Sequence, residues 1–135
     1  MYGLRASLYV ASLKTNDYVP VKKIAEDLGI SFHFLAKILQ SLTQEGVLRS
    51  FRGPNGGVAL AREAEQIRIS EIVDALEGPK QYDQCVIGLP GCGHERPCPL
   101  HEKWAETQRQ IRSIFEDTTL GEQASRIKEL DLRLS

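Results

Sequence analysis

Three cysteines and a histidine, Cys85, Cys92, Cys98 and His101, follow a C-x6-C-x5-C-x2-H spacing. Three soft thiolates and one imidazole are the donor set of a structural Cys3His zinc site. They also suit an iron-sulfur cluster, [2Fe-2S] or [4Fe-4S], in which three cysteines and a non-cysteine ligand hold the iron. Spacing does not separate the two. A third chemistry needs no metal: reversible oxidation of the thiols themselves. His94 is a second imidazole in the same stretch and could take the place of His101. An odd number of thiols, all between positions 85 and 98, is a poor disulfide framework in a reducing compartment.

A second group of residues has types suited to meeting nucleic acid. Residues 1–62 carry eight basic and four acidic side chains, a net +4, whereas the rest of the chain carries nine and fourteen, a net −5. A basic amino-terminal half fits a surface that faces phosphates. Within it, Ser31, His33, Lys37 and Gln40 fall on the faces of one amphipathic segment that its apolar stripe leaves free, with Lys37 and Gln40 the foremost candidates to read bases. Arg49 and Arg52 flank a run, Gly53-Pro54-Asn55-Gly56-Gly57, whose glycines allow a close approach to a phosphate backbone or a minor groove.

The elements that must position these groups are legible as periodicity. Leu4, Leu8 and Ala11 predict a first helix ending near Lys14. Val21, Ile24, Ala25 and Leu28 predict a two-turn helix closed by Gly29. Ser31 is placed to cap a third helix with the stripe Leu35, Ile38, Leu39 and Leu42, ended by Gly46. Two helices across a tight glycine turn read as a helix-turn-helix. Residues 47–51 and 58–60 then predict two strands around the glycine run, a hairpin that would form a wing bearing Arg49, Arg52, Gly53, Asn55 and Gly56. Ser70 is placed to cap a fourth helix carrying Ile69, Ile72, Val73 and Leu76, stopped by Gly78-Pro79.

Between positions 80 and 97 the periodicity disappears, and a structureless stretch of that length in a small protein is usually functional or disordered. Pro99 suits the first position of a long helix, about 99–117. Its stripe of Leu100, Trp104, Ile111, Ile114 and Phe115 has close to seven-residue spacing and so calls for a partner. Thr119 and Glu122 form a capping box for a last helix with Ile127 and Leu130, followed by a tail expected to fray. The fold class expected is mostly helical with a small hairpin: a winged helix-turn-helix over 1–78, a cysteine-bearing loop over 79–98, and a dimerisation helix with a terminal helix over 99–135.

Composition excludes several classes. With 135 residues, 41% of them hydrophobic and 26% charged, the chain suits one globular domain with an appendage. No apolar run approaches the roughly 20 residues that span a bilayer, and the first ten residues lack the layout of a secretory signal, so the expected location is the cytoplasm. The nucleophile elbow, the zinc-protease helix motif, the P-loop and the dinucleotide fingerprint are all missing, so no enzyme is expected.

Residues 21–60, with KKIAEDLGIS and FLAKILQSLTQEGVLRSFRGPNGGVAL, followed by ISEIVDALEG, resemble the IscR, NsrR and RirA group of bacterial winged-helix iron-sulfur regulators. The run Arg52-Gly53-Pro54-Asn55-Gly56-Gly57 is similar to that group's R-G-P-x-G-G signature, and the CPLH and TTLGE segments extend the resemblance over nearly the whole chain. The resemblance implies a homodimer whose long helices pair across a two-fold axis, so that two recognition helices reach successive major grooves of a pseudo-palindromic double-stranded operator. It also implies a DNA-binding regulator with Cys85, Cys92 and Cys98 as cluster ligands, and the expected action is that of a repressor. His101 matches the histidine that IscR-like members use as fourth ligand, while other members take an acidic or histidine ligand from the first helix. Ala36 stands where IscR has a glutamate that helps it discriminate between operators, so promoter preference does not transfer.

Overall fold

The structure is a computed structural model that describes residues 1–135. Six helices and one hairpin follow in the order α1 (Tyr2–Ser12), α2 (Val21–Leu28), α3 (Phe32–Gln44), β1 (Leu48–Phe51), β2 (Gly57–Leu60), α4 (Ile69–Glu77), α5 (His101–Glu116) and α6 (Leu120–Glu129). Short 3-10 turns sit at Ala64–Gln66 and Gln81–Asp83. The mostly helical class with a two-stranded hairpin is thus observed. No helix is long and apolar enough to cross a membrane.

Local chemistry explains most boundaries. Gly29 ends α2 with φ 65 and ψ 38, the left-handed cap that glycine adopts without strain. Ser31 stands at the amino-terminal cap of α3, but its hydroxyl makes no capping bond. The hairpin is antiparallel, with Leu48 opposite Leu60 and Phe51 opposite Gly57. Val19 adds a single bridge to its free side: the Val19 and Val58 N–H groups donate to each other's carbonyls at 2.8 and 2.9 Å.

Two helix starts differ from the sequence expectation. Helix α4 begins one residue before Ser70, because the Ile69 N–H donates to the Thr118 carbonyl at 2.9 Å and the Glu71 carboxylate accepts from the Arg68 N–H at 2.8 Å. These long-range and local bonds replace the serine cap. Pro99 lies ahead of α5 rather than at its first position, since the His101 N–H closes a turn on the Cys98 carbonyl at 3.0 Å and Leu100 becomes the cap.

The core contains 19 buried residues drawn from α1 to α4, the hairpin, α6 and the connections between them, which add Val19, Ile30, Val47 and Ile67. Helix α1 turns a different face inward from the one expected: Gly3, Ala6, Ser7 and Val10 join Ala11 in the interior, while Leu4 and Leu8 pack at its edge. Small residues win because neighbouring helices come very near; a Cβ on Gly3 would stand 2.4 Å from Leu76 Cδ1. Helix α6 returns to this core through Leu120 and Ala124, although the sequence groups it with the long helix. The terminal tail is held as well, with Arg5 Nε donating to the Leu134 carbonyl at 2.6 Å and Nη2 to the Leu28 carbonyl at 3.0 Å. Helix α5 buries no residue completely.

Candidate metal centre and nucleic-acid interface

The loop between α4 and α5 folds its three cysteines together. All three sulfurs lie within 4.8 Å of one another, and Cys85 Sγ and Cys98 Sγ are 3.6 Å apart. Two thiolates on one tetrahedral metal, each about 2.3 Å from it, stand about 3.8 Å apart. Cys98 is buried, and Cys85 and Cys92 are half-buried. The Cys98 backbone N–H donates to Cys92 Sγ at 3.4 Å, an N–H to sulfur bond of the kind that stabilises ligating thiolates.

His101, in the first turn of α5, sets Nδ1 3.6 Å from Cys92 Sγ. Its Nε2 is buried and has no hydrogen-bond partner. A buried ring nitrogen without a partner normally finds one outside the chain, in a water or a ligand. The compact donor group is nevertheless the three thiols alone, with His101 at its edge and His94 behind it, the two rings 5.3 Å apart. The donor set therefore fits a thiolate-bound metal or cluster.

Electrostatics distinguish the thiols. Cys85 is lowered to about 7, chiefly because the Leu89 backbone N–H stabilises its thiolate, with a smaller contribution from the Ile87 N–H. At Cys92 the Cys98 N–H pulls the same way, but burial and the adjoining Cys85 and Cys98 thiols outweigh it and push the group up.

The DNA-facing candidates divide into free and tethered groups. Ser31, His33, Lys37 and Gln40 are all exposed on α3 while Leu35, Leu39 and Leu42 are buried. Arg52, Gly53 and Asn55 are exposed at the hairpin tip, and Gly56 is half-buried beneath it. Arg52 and Lys37 form no ion pair with the rest of the chain. Arg49 is engaged differently: Nε donates to the Leu60 carbonyl at 3.3 Å, Nη2 donates to the Asn16 carbonyl at 3.1 Å, and its guanidinium lies 5.2 Å from the centre of the Tyr18 ring. It braces the base of the hairpin against the α1–α2 turn.

The wing glycines have steric work to do. A Cβ on Gly56 would stand 2.2 Å from the Phe51 carbonyl oxygen, and one on Gly57 would stand 2.0 Å from that of Val19. Those close backbone approaches give the glycine pair a structural reason of its own. Sequence periodicity gave no sign of the Val19 bridge that creates one of them.

Along α5, the residues read as a seam do not share one environment. Leu100 and Ile114 are exposed, at 46% and 63%, whereas Trp104, Ile111 and Phe115 are half-buried. The Trp104 indole N–H donates to the Gln84 carbonyl at 2.9 Å, and Phe115 lies 6.0 Å from Tyr82, ring centre to ring centre. Gln84, Gln108, Asp83 and Arg112 also belong to this contact and were missed in the sequence. The available signal was that Trp104, Gln108, Arg112 and Phe115 recur at helical spacing on one face of α5.

A helix-turn-helix with a hairpin wing, followed by a thiol-bearing loop and a long, incompletely buried helix, defines a winged-helix transcription regulator with a candidate metal centre. Residues 1–125 match the Rrf2 family, described as an iron-dependent transcriptional regulator, and the chain belongs to that family. It is a transcription regulator and not an enzyme. A helix-turn-helix-type regulator of Aquifex aeolicus strain VF5 is 36% identical over 121 residues, covering 88% of this chain and 83% of that protein. IscR of Cronobacter sakazakii is 30% identical over 131 residues, 97% of this chain and 80% of that one. Among solved structures, T. potens IscR superposes with a TM-score of 0.78 at 26% identity, covering 98% of this chain and 87% of that one. CymR (YrzC), the global cysteine regulator of B. subtilis, gives 0.76 at 27% identity, covering 92% and 91%.

Proposed function

We propose that this protein is a homodimeric DNA-binding regulator, acting as a repressor in the bacterial cytoplasm, whose affinity for a pseudo-palindromic operator is set by an iron-sulfur cluster on Cys85, Cys92 and Cys98, with His101 as fourth ligand. The observation that carries the reading is the gathering of three sulfurs within 4.8 Å, with an unpartnered buried imidazole nitrogen beside them, in the loop joining α4 to α5. A cluster bound there would supply iron and sulfide whose state answers to redox poise and to small ligands.

The chain's own residues supply the coupling. Helix α4 packs on the recognition helix α3, and the exposed Leu100 at the cap of α5 and Ile114 within it suit a dimer seam. The thiol loop lies between the two, so ordering or releasing it changes how the DNA-reading heads are held relative to each other. Lys37, Gln40 and His33 on α3 serve as base or phosphate contacts, and Arg52 with the hairpin tip reaches the neighbouring backbone or minor groove.

Purification without oxygen, followed by visible absorption and assay of iron, sulfide and zinc, tests this reading. Brown protein with iron and sulfide supports it; Cys92→Ala should then lose the chromophore and shift operator affinity at least a few-fold. Operator binding that is unchanged after the cluster is lost would refute the coupling. A second reading, a zinc site or a metal-free thiol sensor, draws on the Cys85 thiol near 7 and its 3.6 Å approach to Cys98. It predicts colourless protein, with one zinc per chain or with thiols that oxidise reversibly.

A further inference from the structure

We propose that Trp104 and Gln108 are positioning residues for the thiol centre, acting through the backbone carbonyl of Gln84. This inference rests on the metal centre proposed above and names what holds its geometry. The Gln84 carbonyl accepts two hydrogen bonds from successive turns of α5: the Trp104 indole N–H at 2.9 Å and the Gln108 side-chain amide at 3.1 Å. One turn further on, Arg112 Nη2 pairs with the Asp83 carboxylate at 2.7 Å. Residues 83 and 84 are thus laid along α5 at positions 104, 108 and 112, and the next residue in the chain is Cys85.

The other end of the ligand loop is fixed to the same helix. Cys98 lies just ahead of α5, and its carbonyl accepts from the His101 N–H at 3.0 Å as the helix begins. The segment from Cys85 to Cys98 contains little regular structure of its own. Bringing its two end sulfurs to 3.6 Å before any metal binds costs loop-closure entropy, which a template outside the loop offsets. Helix α5 is that template. It sets Cys98 through its own start and Cys85 through the two bonds to Gln84, while Cys92 is held by the Cys98 N–H and lies beside His101.

This assignment gives Trp104 a role different from that of a seam anchor. Its one hydrogen-bond donor is used within its own chain, so the feature that matters is the indole N–H and not only the ring's apolar area. Partners that orient ligands without touching metal commonly account for about 10–100-fold in metal affinity.

The test compares wild type with Trp104→Phe, which keeps a ring and removes the N–H, Gln108→Met, which keeps the length and removes the donor, and the double variant. Each is reconstituted anaerobically with ferrous iron and sulfide, and cluster loss to a chelator is followed by visible absorption. Either single change should speed loss a few-fold, because the other donor still holds the carbonyl, and the double change about tenfold or more. A double variant that loses its cluster at the wild-type rate would overturn the inference. Should the double variant not fold, as judged by circular dichroism, Gln108→Met alone decides, since it removes one donor and leaves the Trp104 ring in place. If wild type takes up neither iron and sulfide nor zinc, the proposed metal function fails on its own account. The positioning role is then read in metal-free protein from alkylation of the three cysteines. Selective acceleration at Cys85, with Cys98 unchanged, supports the role, and an unaltered pattern refutes it.

Discussion

Gly57 lies so close to Val19 that a Cβ on it would stand 2.0 Å from the Val19 carbonyl oxygen, while its φ of +152 already favours glycine. The oxygen cannot swing aside, because it accepts the Val58 N–H at 2.9 Å and so forms the bridge that ties the hairpin to the body. Gly57→Ala should therefore lower stability by about 2–4 kcal/mol through combined steric overlap and backbone strain, measured by urea unfolding. Gly53→Ala meets only Phe51 Cε1 at 3.5 Å and should cost about 1–2 kcal/mol, the strain of its positive φ alone. Equal losses for the two variants would show that the Val19 approach is not the controlling contact.

Much of this architecture is legible in the sequence because it is set by short-range rules. The period of Val21, Ile24, Ala25 and Leu28, the glycine at 29 and the stripe of Leu35, Leu39 and Leu42 fix α2 and α3 locally. What periodicity missed is decided by contacts far apart in the chain. The face that α1 buries is chosen by the close approach of other helices at Gly3, the start of α4 by the Thr118 carbonyl, and the partner of Trp104 by a loop carbonyl 20 residues away. The three cysteines were conspicuous by type and spacing, yet only the folded loop distinguishes the compact thiol group from His101 at its edge.

Cys85 titrates about 7 because the Leu89 N–H, foremost, favours its thiolate. In metal-free protein, alkylation of Cys85 should be half-maximal near pH 7, and Cys92, which is pushed up, should lag behind it. The linkage has a definite sign: the folded value lies below the unfolded one, so the stabilisation is complete above the ordinary thiol range and is lost as pH falls through 7. The metal-free loop should accordingly become more susceptible to proteolysis as pH is lowered from about 9 to below 7. Equal alkylation profiles for Cys85 and Cys92 would contradict the difference between them.

Arg49 and Arg52 sit on either side of Phe51, but only Arg49 is bound to the body of the protein. Arg52→Ala should leave thermal unfolding unchanged and weaken operator binding, lowering the slope of log affinity against log salt by about 1 if it meets a phosphate. If it enters the minor groove, sequence preference should relax instead. Arg49→Ala should cost about 1 kcal/mol of stability through its lost bonds to the Leu60 and Asn16 carbonyls. Binding titrations over a range of salt, with a melt of each variant, separate these outcomes. Loss of stability in Arg52→Ala without loss of binding would remove it from the DNA-contacting set.

Ile114 is 63% exposed on α5, and Leu100, two heptads earlier on the same helical stripe, is 46% exposed. Trp104 and Phe115 turn instead toward the preceding loop, where they meet Gln84 and Tyr82. The side of α5 free to meet a second copy is therefore the one bearing Leu100 and Ile114. Ile114→Glu adds a charge there and disturbs no buried contact of the single chain, so it should shift a dimer to monomer in sedimentation while helical content and the thiol centre persist. Operator affinity should fall with it, because two half-sites would no longer be engaged by one linked pair of heads and the gain from effective concentration would disappear. A dimer of undiminished stability in Ile114→Glu would place the seam elsewhere, and a monomeric wild type that still binds a full operator with high affinity would remove the need for one.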